Sequence, residues 1–182
     1  MKKILLYLMI TCNLLSAYTY EHQMLQIHAK IAPRLILMSE FSKVEKPQEI
    51  TIVIVYESGD ENAATLLKRY LKESYPKGLN NQHLKIIKTK YSDFTTAPKH
   101  ALLFLFDTDE RVVKKILEYA KNNKLITMSY RDEYLDYGVH VSLHVGRSLK
   151  PYLNIHAAKE NGMVFANTLI SISKIFYPKE QP

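Results

Sequence analysis

Few side chains in this 182-residue chain are placed to act as nucleophiles or to hold a cofactor. Ser58 and Ser129 each follow an apolar segment, but neither lies in a Gly-x-Ser-x-Gly elbow, the sharp turn that exposes a hydrolase serine. Serines in such positions usually form turns or caps. Gly59 is the only glycine at a strand-to-helix turn, whereas a backbone cradle for nucleotide phosphates is glycine-rich. We therefore predict neither a serine hydrolase nor a nucleotide cofactor site.

Histidines and carboxylates could support metal binding or acid–base catalysis. His140 and His144 share one side of a predicted strand, where we expect them to be exposed, and His156 begins a predicted helix. Zinc needs three or four converging ligands, and no His-Glu-x-x-His or similar cluster supplies them. Two acidic pairs are typical of helix starts and loops rather than of a glycosidase: Asp107 with Asp109, and Asp132 with Glu133. We predict no enzyme activity, no metal and no cofactor.

The elements that position these residues alternate between strand and helix patterns. The run Ile50–Tyr56 is β-branched almost throughout, which is typical of a strand buried on both faces of a parallel sheet, and Ala101–Phe106 is wholly apolar. Further strands are predicted at 84–91 and 125–128, and helices at 21–38, after Ser58-Gly59-Asp60, and at 111–121. Pro33 should end, kink or restart the first helix. The alternation predicts right-handed crossovers and a mostly parallel sheet.

The last third of the chain has a different periodicity. Apolar residues from Val139 to Val145 alternate with polar ones, and Tyr152–Ile155 can return antiparallel after a turn, which predicts a hairpin at one edge of the sheet. The segment 157–176 has apolar residues near one face of a helix and predicts a single closing helix. We see no repeat or linker. The predicted fold is one three-layer α/β domain, with a mostly parallel sheet, an antiparallel C-terminal hairpin and helices on both faces.

The first seventeen residues have the composition of a secretory signal peptide. Lys2 and Lys3 precede an apolar run, and Ala17 provides a small residue at the predicted cleavage site. The run is too short for a comfortable membrane span, which needs about 20 apolar residues, although an uncleaved anchor is an alternative. We expect residues 1–17 to be removed and residues 18–182 to form a periplasmic domain.

Charge and cysteine content exclude further classes of function. The only cysteine, Cys12, lies in the predicted signal, so the mature chain would have neither thiol nor disulfide. The formal net charge is +7, and removal of Lys2 and Lys3 leaves 23 basic against 18 acidic residues, a net charge of +5. The basic residues are scattered rather than gathered in one patch, which argues against nucleic-acid binding.

One candidate ligand site follows from the predicted sheet. In an open parallel sheet, ligands bind beyond the carboxyl ends of the strands, where the strand order reverses. The loops there mix hydroxyls, acids and aromatic rings, as a small-ligand pocket would. Ser58, Asp107 and Ser129 are our candidate ligand-binding residues, and ordinary solvated loops are the alternative.

The order of export signal, opening helix and strand Ile50–Tyr56 resembles the YfiR-like family of small periplasmic proteins. The closest likeness lies in Tyr134-Leu135-Asp136-Tyr137-Gly138 before the alternating strand and in Leu153-Asn154-Ile155-His156-Ala157-Ala158 at a strand-to-helix junction. The likeness covers nearly the whole mature chain. At the junction we expect Asn154 to tie the hairpin strand to the last helix through its side chain.

The resemblance implies a non-enzymatic regulator in cyclic-di-GMP signalling. Such a protein represses a membrane-bound diguanylate cyclase by contacting the cyclase's periplasmic sensor domain. Because this chain lacks the cysteines that form disulfides in the best-known member, redox control of repression is not expected. The partner could be an inner-membrane diguanylate cyclase or a sensor kinase. The resemblance does not decide whether the chain also forms a homodimer.

The alternative function is a periplasmic small-molecule binding module that needs no protein partner. Repression would instead need a protein-binding surface with aromatic groups exposed on the monomer. Tyr130, Tyr134 and Tyr137, in the loop before the hairpin, are our candidate partner-binding residues. Their alternative role is to pack over the end of the sheet.

Overall fold

A computed structural model describes residues 20–41, 49–145 and 147–178 of the chain. The predicted signal peptide, residues 1–17, lies outside the described residues. The helices are α1 (His22–Leu37), α2 (Glu61–Ser74), α3 (Glu110–Asn122), α4 (Ile155–Glu160) and α5 (Asn167–Ile172). The strands are β1 (Ser39–Phe41), β2 (Glu49–Tyr56), β3 (His83–Lys90), β4 (Leu102–Leu105), β5 (Ile126–Ser129), β6 (Val141–Val145), β7 (Leu149–Leu153), β8 (Met163–Phe165) and β9 (Lys174–Ile175).

Seven of these strands form one sheet in the order β3-β2-β4-β5-β6-β7-β9. The strands from β3 to β6 pair in parallel, β6 and β7 form an antiparallel hairpin, and β9 adds in parallel to β7. The predicted mixed α/β fold with a mostly parallel sheet and a hairpin is thus confirmed. The hairpin is not at the edge, however, because β9 covers its outer strand.

The sheet has an apolar core on each face. Successive side chains of a strand point to opposite faces. Accordingly, Ile52 and Ile54 pack in the core that includes α1 and α2, whereas Val53, Leu103 and Leu105 pack in the core that includes α3. These residues are no more than 1% exposed. Helices therefore cover both faces, as the sequence predicts, and none of those in the described segments has the length and apolar composition for a membrane span.

Helix α1 continues through Pro33 to Leu37. The expectation that Pro33 ends the helix is therefore wrong. Proline has no N–H, so the only backbone hydrogen bond lost is the one that the Ala29 carbonyl would accept. Pro33 is itself buried, and the packing of α1 against the sheet compensates for that loss.

The predicted closing helix at 157–176 is wrong, because the segment contains two short helices and two short strands. Helix α4 ends at Glu160 with Asn161 as its C-cap, and Gly162 takes a positive φ of 70°, a left-handed conformation that glycine adopts at little cost. Strand β8 then pairs antiparallel with β1, with Ser39 opposite Phe165. The two buried residues of β8, Met163 and Phe165, lie two positions apart, which is the period of a strand, whereas on a helix they would point to nearly opposite sides.

Side chains help to attach the hairpin to the parallel half of the sheet. Between β5 and β6 only Met128 and Val141 are in ladder register. Beside them, Thr127 N–H donates to His140 Nδ1 (3.1 Å) and His140 N–H donates to Thr127 Oγ1 (3.0 Å). His140 is fully buried, so its expected exposure is wrong, and burial lowers its pKa to about 3. Asn161 Nδ2 lies 2.5 Å from His140 Nε2. Because Nδ1 accepts, the proton of the neutral ring lies on Nε2, so a hydrogen bond here requires the Asn161 amide to be turned over, with its oxygen facing Nε2.

We expect the stability of the protein to fall as the pH is lowered from 7 to 5. His28 is also fully buried, and burial lowers its pKa to about 4. Histidine in the unfolded chain has a pKa of about 6.5, so below that pH the unfolded state binds more protons and is favoured. Each buried histidine should contribute a slope of up to about 1.4 kcal/mol per pH unit.

Urea unfolding of the wild type and of His140→Asn at pH 7, 6 and 5 measures this contribution. The variant should be less stable at pH 7 but show a shallower pH dependence. His83→Asn, on an exposed strand position, is the matched control and should keep the wild-type slope. An unchanged slope in His140→Asn would contradict the assignment.

Candidate functional site

The strand order reverses between β2 and β4. From β2 the chain passes through α2 to β3 on one side, and from β4 it passes through α3 to β5 on the other. The loops at the carboxyl ends of β2 and β4 therefore diverge and leave a crevice, the place where open α/β sheets bind ligands. We call the residues at this edge of the sheet the switch point.

Three carboxylates meet at the switch point. Glu57 and Asp60 follow β2, and Asp107 follows β4. Thr108 Oγ1 donates a hydrogen bond to Glu57 Oε1. Burial raises the pKa of Asp60, and the charges of Asp107 and Glu57 add to this effect, while a hydrogen bond from Tyr20 opposes it. The crevice is thus acidic and partly desolvated.

Tyr20 closes the crevice from the N-terminal segment. Its hydroxyl donates to Asp60 Oδ2 (2.8 Å) and accepts from Asp107 N–H (3.1 Å). Its ring meets those of Phe106 and Tyr130 edge to face, with centroids 4.8 and 4.7 Å apart. Burial raises the pKa of Tyr20, so the phenol stays protonated and remains a donor. No sequence pattern marks Tyr20, because its contacts depend on how the chain enters α1.

Arg131 connects the same edge to the loop after β5. Its guanidinium donates to Asp107 Oδ1 (3.1 Å) and to Glu133 Oε1 (3.1 Å). The hydrogen bond to Glu133 raises the pKa of Arg131, and the same bond lowers the pKa of Glu133. No role is predicted for Arg131 from the sequence. Its position two residues after β5 was the available signal.

The three predicted ligand-binding residues have different surroundings. Asp107 lies at the centre of the switch point and accepts from Arg131 and from the Tyr134 hydroxyl (2.9 Å). Ser129 is fully buried, and its hydroxyl donates to the Arg131 carbonyl (2.6 Å). Ser58 is exposed in a 3-10 turn before α2. The structure therefore brings Asp107 and Ser129 together through Arg131, while Ser58 lies apart from this network.

The predicted partner-binding tyrosines are less exposed than expected. Tyr134 is only 4% exposed, and its hydroxyl accepts from Thr108 N–H (2.8 Å), so its expected exposure is wrong. Tyr130 is half-buried and stacks on the His28 ring, with centroids 5.1 Å apart. Tyr137 is half-buried, with Lys114 Nζ 5.5 Å from its ring centroid. Two of the three rings thus pack over the sheet end, because apolar neighbours are available there.

The arrangement suits a fixed framework better than a reaction centre. Apart from Ser58, the polar side chains of the switch point hold one another through the hydrogen bonds given above. Within the described segments, no group of three or more His, Cys, Asp or Glu side chains is placed to hold a metal ion. The Tyr20 hydroxyl bridges Asp60 and the Asp107 N–H, so a ligand that binds these two groups would have to displace it.

We expect Tyr20→Phe to lower the free energy of unfolding by about 1 kcal/mol, because Asp60 and the Asp107 N–H lose a hydrogen-bond partner. The substitution should also raise the pKa of Asp60 further, since the hydrogen bond from Tyr20 favours the ionised carboxylate. Urea unfolding and NMR titration of the Asp60 carboxyl measure the two effects. Tyr177→Phe, at a side chain 78% exposed, is the control and should change neither. Equal stability of both variants would contradict this role of Tyr20.

Comparison with known proteins identifies the family. A family model described as YfiR/HmsC-like matches residues 26–174. No curated protein matches the chain. Among solved structures, a conserved domain protein from Vibrio cholerae O1 biovar eltor is 13% identical, with a TM-score of 0.55 over 83% of this chain and 59% of that one. An ABC domain in complex with L-Trp from Streptococcus pneumonia is 12% identical, with a TM-score of 0.57 over 81% of this chain and 60% of that one.

At such low identity the two solved structures show the fold alone, and this chain spans only about 60% of the length of each. The family model, by contrast, runs from α1 to the start of β9. It therefore includes most of both cores and most of the switch point, but not Tyr20. By this match the chain belongs to the YfiR/HmsC-like family.

Proposed function

We propose that the protein is a non-enzymatic periplasmic regulator that represses a membrane-bound signalling protein of the diguanylate cyclase type through its periplasmic sensor domain. The observation that carries this proposal is the match of the YfiR/HmsC-like family model to residues 26–174. Members of that family are regulators, and they act through protein contacts in the periplasm. Removal of residues 1–17 on export is part of the proposal.

The geometry of the switch point supports a regulator. Its carboxylates are engaged with Tyr20, Thr108 and Arg131 rather than directed at an open substrate cavity. A repressor needs a stable surface that recognises one state of its partner, and a rigid internal network provides such a surface. For about 100-fold repression, the free energies of binding to the inactive and the active partner must differ by about 2.7 kcal/mol.

We place the partner surface around Tyr137. Of the three candidate tyrosines, Tyr130 and Tyr134 hold the loop in place through stacking and hydrogen bonds. The ring of Tyr137 is half-buried, so part of it is accessible to a partner. Lys114 lies over that ring and pairs with Glu110 (2.6 Å), so an aromatic group and charges occur together. Tyrosine is enriched at protein-binding surfaces, and charged groups such as Lys114 and Glu110 suit the polar rim of such a surface.

The second candidate function is a small-molecule binding module at the switch point. It is favoured by the raised pKa of Asp60 and by the proximity of Arg131 to Asp107. A ligand there would have to replace the hydroxyl of Tyr20. Tyr20→Phe should then change the affinity for that ligand, whereas a pure protein-binding regulator would keep its function.

Deletion of the gene should raise cyclic-di-GMP in the host cell, and expression of the wild-type chain should lower it again. Tyr137→Ser should restore repression only in part, while the control Tyr177→Ser should restore it fully. If deletion leaves cyclic-di-GMP unchanged, the proposed function is wrong. If Tyr137→Ser represses as the wild type does, the function survives and the surface assignment is wrong.

A further inference from the structure

A second concave site lies at the tip of the hairpin, away from the switch point. It is a cavity of about 260 Å³, lined by His144, Arg147, Ser148, Lys150, Ser173 and Lys174. Three elements form it: the end of β6, the turn into β7, and the junction of α5 with β9. Lys174 reaches the hairpin because β9 pairs with β7, with Lys174 opposite Tyr152. The volume suits a single small polar group.

The cavity gathers positive charge without an acidic partner. None of Arg147, Lys150 and Lys174 forms a salt bridge with a carboxylate of the described residues. By contrast, six other basic side chains of the described part, together with His156, do form such pairs. The three cations thus repel one another, and an anion between them would relieve that repulsion.

The immediate partners of Lys174 are an imidazole and an aromatic ring. Its ammonium lies 3.3 Å from His144 Nε2 and 5.1 Å from the centroid of the Tyr152 ring. Because an ammonium can only donate, His144 Nε2 accepts in this contact. The carboxylate of Asp132 interacts electrostatically with His144, but it forms no salt bridge with any of the three cations. The three cations therefore leave the cavity with a net positive charge.

The donors of the cavity match an anion with several oxygens. The guanidinium of Arg147 can bind two oxygens at once, and the two lysines act as point charges from other directions. The Ser148 hydroxyl adds a neutral donor, while Ser173 Oγ donates to the Leu169 carbonyl (2.6 Å). A carboxylate has only two oxygens in one plane, whereas a phosphate group presents oxygens in several directions.

We propose that this cavity binds a phosphate group, either a free phosphate ester or the headgroup of an anionic phospholipid. The proposal goes beyond the regulatory function and does not depend on it. Val145, which follows His144, and Ile172, which precedes Ser173, are each more than half exposed beside the cavity. Such apolar residues would be in contact with lipid if the phosphate belongs to a membrane.

The test measures binding of inorganic phosphate and of vesicles to the purified protein. Amide NMR signals of His144, Ser148 and Lys174 should shift and saturate with inorganic phosphate at constant ionic strength. Arg147→Ser/Lys150→Ser should weaken this binding at least about tenfold. The matched control Arg111→Ser/Lys72→Ser removes the same two charge types from exposed helix positions and should bind as the wild type does. Lys150→Gln alone serves as a second variant if the double variant unfolds.

Vesicles of phosphatidylglycerol, compared with phosphatidylcholine, distinguish the two sources of phosphate. Sedimentation with phosphatidylglycerol that is lost in the cavity variants, but not in the control, identifies a lipid headgroup. Saturable binding of inorganic phosphate without sedimentation identifies a free phosphate ester. The proposal is overturned if neither inorganic phosphate nor phosphatidylglycerol vesicles bind, or if the cavity and control variants weaken binding equally.

Discussion

Leu103→Ala should lower the free energy of unfolding by about 2 to 5 kcal/mol. Leu103 lies in β4, the third of the seven strands, and its side chain is fully buried in the core beneath α3. The parallel neighbours of β4 hold its backbone on both sides, so the sheet cannot close the space that the leucine leaves. The cost is therefore the lost burial of the side chain together with an unfilled cavity.

Equilibrium urea unfolding, with the denaturant slope compared between variants, measures this loss. Val164→Ala is the matched control, since Val164 is also an aliphatic strand residue but is 57% exposed. Its effect should stay within about 0.5 kcal/mol. A change below about 1 kcal/mol for Leu103→Ala would mean that the core beneath α3 is loosely packed.

Asn154→Ala should cost about 2 to 4 kcal/mol, because one side chain serves two buried backbone groups. Asn154 Oδ1 accepts from Ala157 N–H (3.0 Å) and caps α4, while Nδ2 donates to the Leu135 carbonyl (2.9 Å). The side chain thereby ties the junction after β7 to the loop before β6. Alanine leaves both backbone groups unpaired in a site that is 2% exposed.

Thermal and urea unfolding of Asn154→Ala should be compared with Asn123→Ala. Asn123 also bonds a backbone carbonyl through Nδ2, that of Tyr119 (2.8 Å), but on the exposed end of α3. The control should lose less than about 1 kcal/mol, because water can replace its bond. Equal losses for the two variants would contradict the role assigned to Asn154.

The parallel half of the sheet could be predicted because burial on both faces leaves a direct mark on the sequence. Ile50–Tyr56 and Ala101–Phe106 have almost no polar residue, and only a strand covered on both sides tolerates that composition. The acidic start of α3 was equally clear, since Asp109 accepts from Arg111 N–H as a cap should (2.8 Å). Local sequence patterns were therefore sufficient to predict the buried strands and the start of α3, because neighbouring residues determine these features.

The remaining features depend on contacts between distant segments. The spacing of Phe165, Leu169 and Phe176 fits one helix face, and only the pairing of β8 with β1 selects a strand for Phe165. His140 occupies a polar position of an alternating pattern, yet its ring replaces ladder hydrogen bonds to Thr127. At the switch point, Asp107 could be predicted from its place after β4, and Arg131 carries the same kind of signal after β5, whereas Tyr20 could not be predicted.

The two-stranded sheet of β1 and β8 has a consequence for the order in which the chain can fold. Its partners, Ser39–Phe41 and Met163–Phe165, are separated by more than 120 residues, so their pairing closes most of the chain into one loop. Contacts of such long range form late, because the entropy of loop closure is lost before they contribute stability. Strand β8 lies in the last fifth of the chain, so β1 has no partner strand until that part has been synthesised. During this interval β1 is open to binding by a chaperone.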